Sequence, residues 1–115
     1  MSQFVRVIVY LKPYRLEGVK AAVSALDVSG ITVQDVRGRG TSEEAARVVG
    51  GQTLSVSLPV RSKLTVVVPA ERQEEVIATI LEHAHTGEAN DGKIFVEPVA
   101  DAIRIRTGER GEAAI

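Results

Sequence analysis

The chain contains no cysteine and no tryptophan, and its aromatic residues amount to 3%. Without cysteine there is no disulfide, no thiolate nucleophile and no Cys-ligated metal. No apolar run approaches the ~18 residues a membrane-spanning helix needs. The opening MSQFVRVIVY is interrupted by charge and alternation, so it does not read as a signal peptide. These features predict a soluble protein of the cytoplasm that is not inserted in a membrane. Charge of one sign is lacking too: 14 Lys plus Arg stand against 15 Asp plus Glu, a formal net charge of −1. No global field then favours nucleic acid or an anionic membrane, and any anion site has to be local. Histidine is scarce. His83 and His85 stand two apart, and on a helix that spacing points them to different faces, which excludes a two-histidine metal pair and leaves a role at a helix C-terminus. No nucleophile-base-acid or paired-carboxylate arrangement stands out, so no catalytic residue is assigned and an enzyme is not expected.

What is present is an ordinary globular composition. Residues 1–115, with 44% hydrophobic and 25% charged residues, suffice for one domain with its own core. Phe4 to Leu11 form a β-branched run closed by Lys12-Pro13, a first strand. Leu16, Val19, Val23 and Leu26 recur at helical spacing. Ile31, Val33 and Val36 then form a short strand running into Arg37-Gly38-Arg39-Gly40. A small, polar stretch of about 41–53 reads as a long mobile loop, with a helical turn over Glu43 to Val48 as one option. Leu54 to Val68 reads as a third strand made irregular by Pro59, and Glu71 to His85 as a second helix with acidic first turns. Lys93 to Val99 supplies a fourth strand and Asp101 to Arg106 a further extended piece. The order βαββαβ predicts an α+β, ferredoxin-like sandwich: an antiparallel sheet with both helices on one face. The other face then has to be covered. Val5, Val7 and Val9 are expected there, and association into a homo-oligomer is the economical way to cover them.

The richest constellation for chemistry lies between Thr86 and Glu109. The glycine-bearing loop TGEANDGK is able to aim backbone N–H groups at an anion, and Lys93 adds a point charge. Arg104 and Arg106, two apart on an extended segment, would project from one face with donors matched to phosphate oxygens. From spacing alone, a polyphosphate site and a glycine turn before a solvated strand weigh about equally.

TGEANDGKIFV and VADAIRIRTGE resemble the C-terminal signature of the PII signal-transduction family, and KPYRLEGVKAAV and GITVQDVRGRG are similar to it as well. The resemblance implies a ferredoxin-like homotrimer that binds ATP or ADP in the clefts between subunits and controls a target protein, a membrane transporter or a metabolic enzyme, in nitrogen regulation. By position it implies that Thr32 and the backbone of Val67 meet the adenine. Gly38, Gly40, Gly87, Gly92, Lys93, Arg104 and Arg106 would surround ribose and phosphates. Asn90 stands where the signature has a glycine, a substitution a left-handed backbone tolerates. Leu54 occupies the place of the family's nucleotidylated tyrosine, so no phenol is offered there. Ser42 replaces the glutamine that meets Mg²⁺ and 2-oxoglutarate, and Arg61 replaces a lysine that holds the 2-oxoglutarate. Ser42 and Arg61 are therefore the candidate effector residues. No metal-ligating residue is assigned, and whether Mg²⁺ accompanies the nucleotide is left open. Two alternatives of other kinds remain: a trimeric sensor of another small anion such as bicarbonate, and a slow ATPase at the same cleft.

Overall fold

The computed structural model describes residues 3–38, 46–49, 52–55 and 58–115, with only the backbone considered for 46–49 and 52–55. Strand β1 spans Phe4–Leu11, helix α1 Leu16–Ser24, β2 Thr32–Arg37, β3 Ala46–Val49, β4 Gln52–Ser55, β5 Val60–Pro69, helix α2 Gln73–Ala84 and β6 Gly92–Val99. Four strands form one antiparallel sheet in the order β2-β5-β1-β6, while β3 and β4 pair with each other in a second, two-stranded sheet. The fold is the expected ferredoxin-like sandwich.

The alternation of β1 gives two side-chain sets, and the helices lie on one of them. Val5, Val7, Val9 and Leu11 point toward the helices and meet Leu64, Val66 and Val68 of β5, Val19 and Val23 of α1, and Val76 and Ile80 of α2. The helical members stand at i, i+4, the spacing that lines one helix face. Each fully buried aliphatic side chain contributes roughly 1.5–3 kcal/mol through removal of apolar surface from water. The expectation that Val5, Val7 and Val9 face away from the helices is thereby corrected, since all three are buried in this core. The opposite face carries the alternate set, Phe4, Arg6, Ile8 and Tyr10. Across the sheet it continues through Thr65 and Lys63 of β5, Thr32 and Gln34 of β2, and Phe95 and Lys93 of β6, because directly opposed residues share a face. Sequence alternation showed that two faces exist; only the positions of the helices show which one is covered.

Three local expectations also change. The run Leu54 to Val68 is not one irregular strand: β4 belongs to the hairpin, and β5 begins at Val60, after Pro59, whose missing N–H cannot serve a ladder. The helical turn over Glu43 to Val48 gives way to strand from Ala46 onward; its first residues lie outside the described ones. Val48 and Val49 favour a pleated backbone, and Gly50-Gly51, between the paired Val49 and Gln52, is a composition that hairpin connections favour. Finally, Asp101 to Arg106 is not extended throughout. Ile103 bridges Arg110, and 105–107 form a turn in which the Gly108 amide donates to the Arg104 carbonyl at 2.7 Å. Gly108, at φ +74°, supplies the left-handed residue that such a reversal uses.

Arg72 straps the helices together. It donates to the Leu26 carbonyl and, at 3.4 Å, to that of Asp27, so a cation meets the carbonyl groups that follow α1. It also pairs with Glu75 at 3.0 Å, which lowers the Glu75 pKa.

Candidate functional site

The loop joining α2 to β6 is organised around one carboxylate. Asp91 Oδ2 accepts the Thr86 amide at 2.8 Å and the Gly87 amide at 2.9 Å, while Asp91 Oδ1 accepts the Thr86 hydroxyl. The Thr86 oxygen in turn accepts the Glu88 amide at 3.1 Å. Lys12, nearly buried at the end of β1, brings its Nζ to 3.5 Å from Glu88 and 3.9 Å from Asp91. These donors stabilise the anionic form of Asp91, the Thr86 hydroxyl most of all, and hold its pKa at about 2, down from 3.8. The loop was expected to direct its N–H groups toward an outside anion; in the structure the Thr86 and Gly87 amides serve its own carboxylate.

The turn needs left-handed backbone at three places: Gly87 at φ +83°, Asn90 at +65° and Gly92 at +118°. Asn90 thus adopts the conformation expected of it. Gly92 is required more strictly. It pairs with Leu11, and a Cβ there would sit 1.7 Å from the Tyr10 carbonyl oxygen. At Gly38 a Cβ would meet nothing within 4 Å among the described residues. The role of Gly38 here is an anchor, since its amide donates to the Pro59 carbonyl at 3.1 Å and Arg37 donates to that of Leu58 at 3.3 Å. Together they tie the end of β2 to the start of β5.

The remaining residues fall into groups. Thr32 opens β2 opposite Thr65, and Val67 follows two residues along β5 on the same helix-free face, a diagonal separation of roughly 7–8 Å. Lys93, the second residue of β6, lies on that face opposite Tyr10, whose ring also lies 5.7 Å from Lys63 Nζ and 6.0 Å from the Phe95 ring. Strands β2 and β6 are the two edges, so three strand spacings, about 14 Å across the sheet, lie between Thr32 and Lys93, with a further two-residue offset along the strands. Arg61, half-buried opposite Val36, donates to the Val60 carbonyl at 3.0 Å. Gly40 and Ser42 lie outside the described residues.

Arg104 and Arg106 do not share one extended face, because Arg106 stands exposed in the turn of 105–107. Arg104 is engaged: Nη2 donates to the Ala113 carbonyl at 3.0 Å, and Nη1 lies 3.5 Å from Glu109 Oε1. Lys93 and Arg106 have no ion pair or hydrogen-bond partner among the described residues. Sequence reasoning missed Lys12, Asp91, Lys63 and Glu109. The one signal available was an aspartate in a run of turn residues, Asn90-Asp91-Gly92, where a short carboxylate commonly accepts nearby amides. Among the described residues no group of three or more His, Asp or Glu side chains is placed to hold a metal ion.

These elements make a small α+β module: an antiparallel sandwich with exposed Lys93 at one strand edge, exposed Arg106 in its C-terminal turn and a loop braced by glycine and aspartate. The chain belongs to the nitrogen regulatory protein P-II family, whose sequence profile matches residues 4–109. It is 45% identical over 114 residues to the nitrogen regulatory protein P-II homolog of Arabidopsis thaliana, covering 98% of this chain and 58% of that one. Against the nitrogen regulatory protein GlnK of Escherichia coli K12 it is 39% identical over 109 residues, covering 95% and 97%. It thus spans little more than half the length of the plant relatives, 58% and 54%, and nearly all of the bacterial one. The crystal structure of Arabidopsis thaliana PII bound to citrate superposes with a TM-score of 0.81 at 41% identity, over 99% of this chain and 94% of that one. No described helix is long and apolar enough to cross a membrane.

Proposed function

We propose that this chain is a P-II signalling protein that binds ATP or ADP in the clefts of a homotrimer and controls a target protein in the cytoplasm through residues 41–53. It acts as a regulator and not as an enzyme. The observation that carries this reading is the Thr86–Gly92 loop. A carboxylate braces it from inside, Gly92 seats it against Tyr10, and Lys93 leaves it with its ammonium group unpaired among the described residues. Thr32 and Val67, toward the opposite edge of the sheet from the loop, offer the patch where an adenine would lie. Because Thr32 and Lys93 occupy opposite edges of the sheet, copies meeting edge to edge would bring an adenine patch and a phosphate loop together. The helix-free face, with Phe95 50% exposed, gives such copies apolar surface to bury.

Calorimetric titration with ATP and with ADP tests the reading. Binding of both is expected, and Arg104→Ala should weaken ATP by about tenfold or more, since a charge-assisted contact contributes roughly 1.5–3 kcal/mol. Absence of binding at millimolar nucleotide refutes it. Analysis of the nucleotide after incubation should show no ADP formed, and steady production would establish the ATPase alternative. Sedimentation should give a trimer at micromolar concentration. A second reading, a sensor of another small anion with nucleotide as co-ligand, is favoured by the citrate bound to the plant relative. With Ser42 too short to complete a metal shell, 2-oxoglutarate should bind weakly even with Mg-ATP present. Bicarbonate or a carboxylate is the effector to titrate next.

A further inference from the structure

Of the three cations assigned to phosphate, Lys93 and Arg106 are without partners among the described residues, whereas Arg104 is held by the chain's own C-terminal segment. The Arg104 amide donates to the Glu109 carbonyl at 2.9 Å, its carbonyl accepts the Gly108 amide at 2.7 Å, and its guanidinium reaches the Glu109 carboxylate and the Ala113 carbonyl. The Glu109 carboxylate is itself fixed, accepting the Thr107 hydroxyl at 2.8 Å, while the Glu109 amide donates back to Thr107 Oγ1 at 3.2 Å. The carboxylate approaches the guanidinium through one oxygen, Oε1 at 3.5 Å, and brings to it a negative charge such as a phosphate would bring.

We propose that Glu109 is an internal anion that competes with the ligand's phosphate for Arg104, and thereby sets how much negative charge a ligand must carry to complete the site. The inference rests on the nucleotide reading above and deepens it. Arg104 and Glu109 are both about half-exposed, with side chains 41% and 46% accessible, so water and salt screen the pair and the exchange is reversible at modest cost. A polyphosphate, carrying more charge than one carboxylate, displaces Glu109. A ligand without phosphate leaves the pair intact. Displacement also removes the charge that aligns Arg104 with the Ala113 carbonyl, so the ligand's charge is coupled to the position of the last residues.

The experiment compares ATP and adenosine binding by calorimetry in the native protein and in Glu109→Gln, a substitution that keeps the shape and removes the charge. ATP should bind about two- to fivefold more tightly to the variant, the range expected of an exposed ion pair, while adenosine affinity stays unchanged. Thr107→Val, which frees the carboxylate without removing its charge, should move ATP in the same direction by less. Unchanged or weaker ATP binding in Glu109→Gln overturns the proposal, as does an equal gain for adenosine, which would mark a general loosening. If the native protein binds no ATP, the nucleotide reading fails. Inorganic tripolyphosphate then serves as probe, and the competition stands only if Glu109→Gln binds it more tightly than the native protein does.

Discussion

Replacing Gly92 by alanine separates a glycine the fold demands from one it merely contains. The added Cβ would lie 1.7 Å from the Tyr10 carbonyl oxygen, 2.8 Å from its carbonyl carbon and 3.2 Å from Leu11 Cα, all backbone atoms, at φ +118°. No side-chain rotation relieves this. The start of β6 has to move away from β1 by more than about 1 Å, which disrupts the ladder around the Leu11–Gly92 pair and displaces Lys93 beside it. Backbone strain of roughly 1–3 kcal/mol, with one or two ladder hydrogen bonds at about 0.5–1.5 kcal/mol each, gives a loss of about 1.5–6 kcal/mol. That is a large part of the stability of a domain this size, and at about 4 °C per kcal/mol it lowers Tm by roughly 6–24 °C. The control is Gly38→Ala, where no described residue lies within 4 Å of the new carbon and a change under about 1 kcal/mol is expected. Urea and thermal unfolding at one fixed protein concentration measure both, and nucleotide titration of the folded fraction reads the displacement of Lys93. A Gly92→Ala protein melting within 2 °C of the native one, on the scale of about 4 °C per kcal/mol, would refute the close approach of β6 to β1 on which the loop's placement depends.

Asp91 predicts an acid-sensitive loop. Its pKa falls from 3.8 unfolded to about 2 folded, so its contribution is present above pH 4 and is lost as pH drops toward 2; unfolding followed between those values should flatten in Asp91→Asn, and an unchanged slope would contradict the network. Leu64→Ala, at a fully buried position among β1 and both helices, should cost roughly 2–5 kcal/mol in urea unfolding; a cost below about 1 kcal/mol would place the core elsewhere. Leu54 offers no phenol, and Tyr10 and Tyr14 belong to β1 and the turn after it, so intact-mass analysis of protein from nitrogen-rich and nitrogen-poor cells should show no uridylyl or adenylyl adduct; one such mass shift would refute this.

Element type was written locally. Valine-rich alternation marks β1 and the second half of β5, i, i+4 aliphatics mark both helices, and Pro13 marks where the first ladder stops, because these signals act within a few residues of themselves. The order of elements then left few topologies, and the ferredoxin-like sandwich followed from it. The loop motif and the cations Lys93, Arg104 and Arg106 were also legible as residue types. Their relations were not. That Val5, Val7 and Val9 face inward, that β4 leaves the line of β5 to pair with β3, and that Asp91 answers Thr86 while Glu109 answers Arg104 depend on which groups meet once the chain has closed. Alternation is symmetric between two faces, and a carboxylate carries no local mark of the donor it will find. Glu109 is five residues from Arg104 in sequence, yet only the reversal at Gly108 turns that separation into an ion pair. Chemical type is a property of each residue; partnership is a property of the closed chain, and tertiary structure decided it.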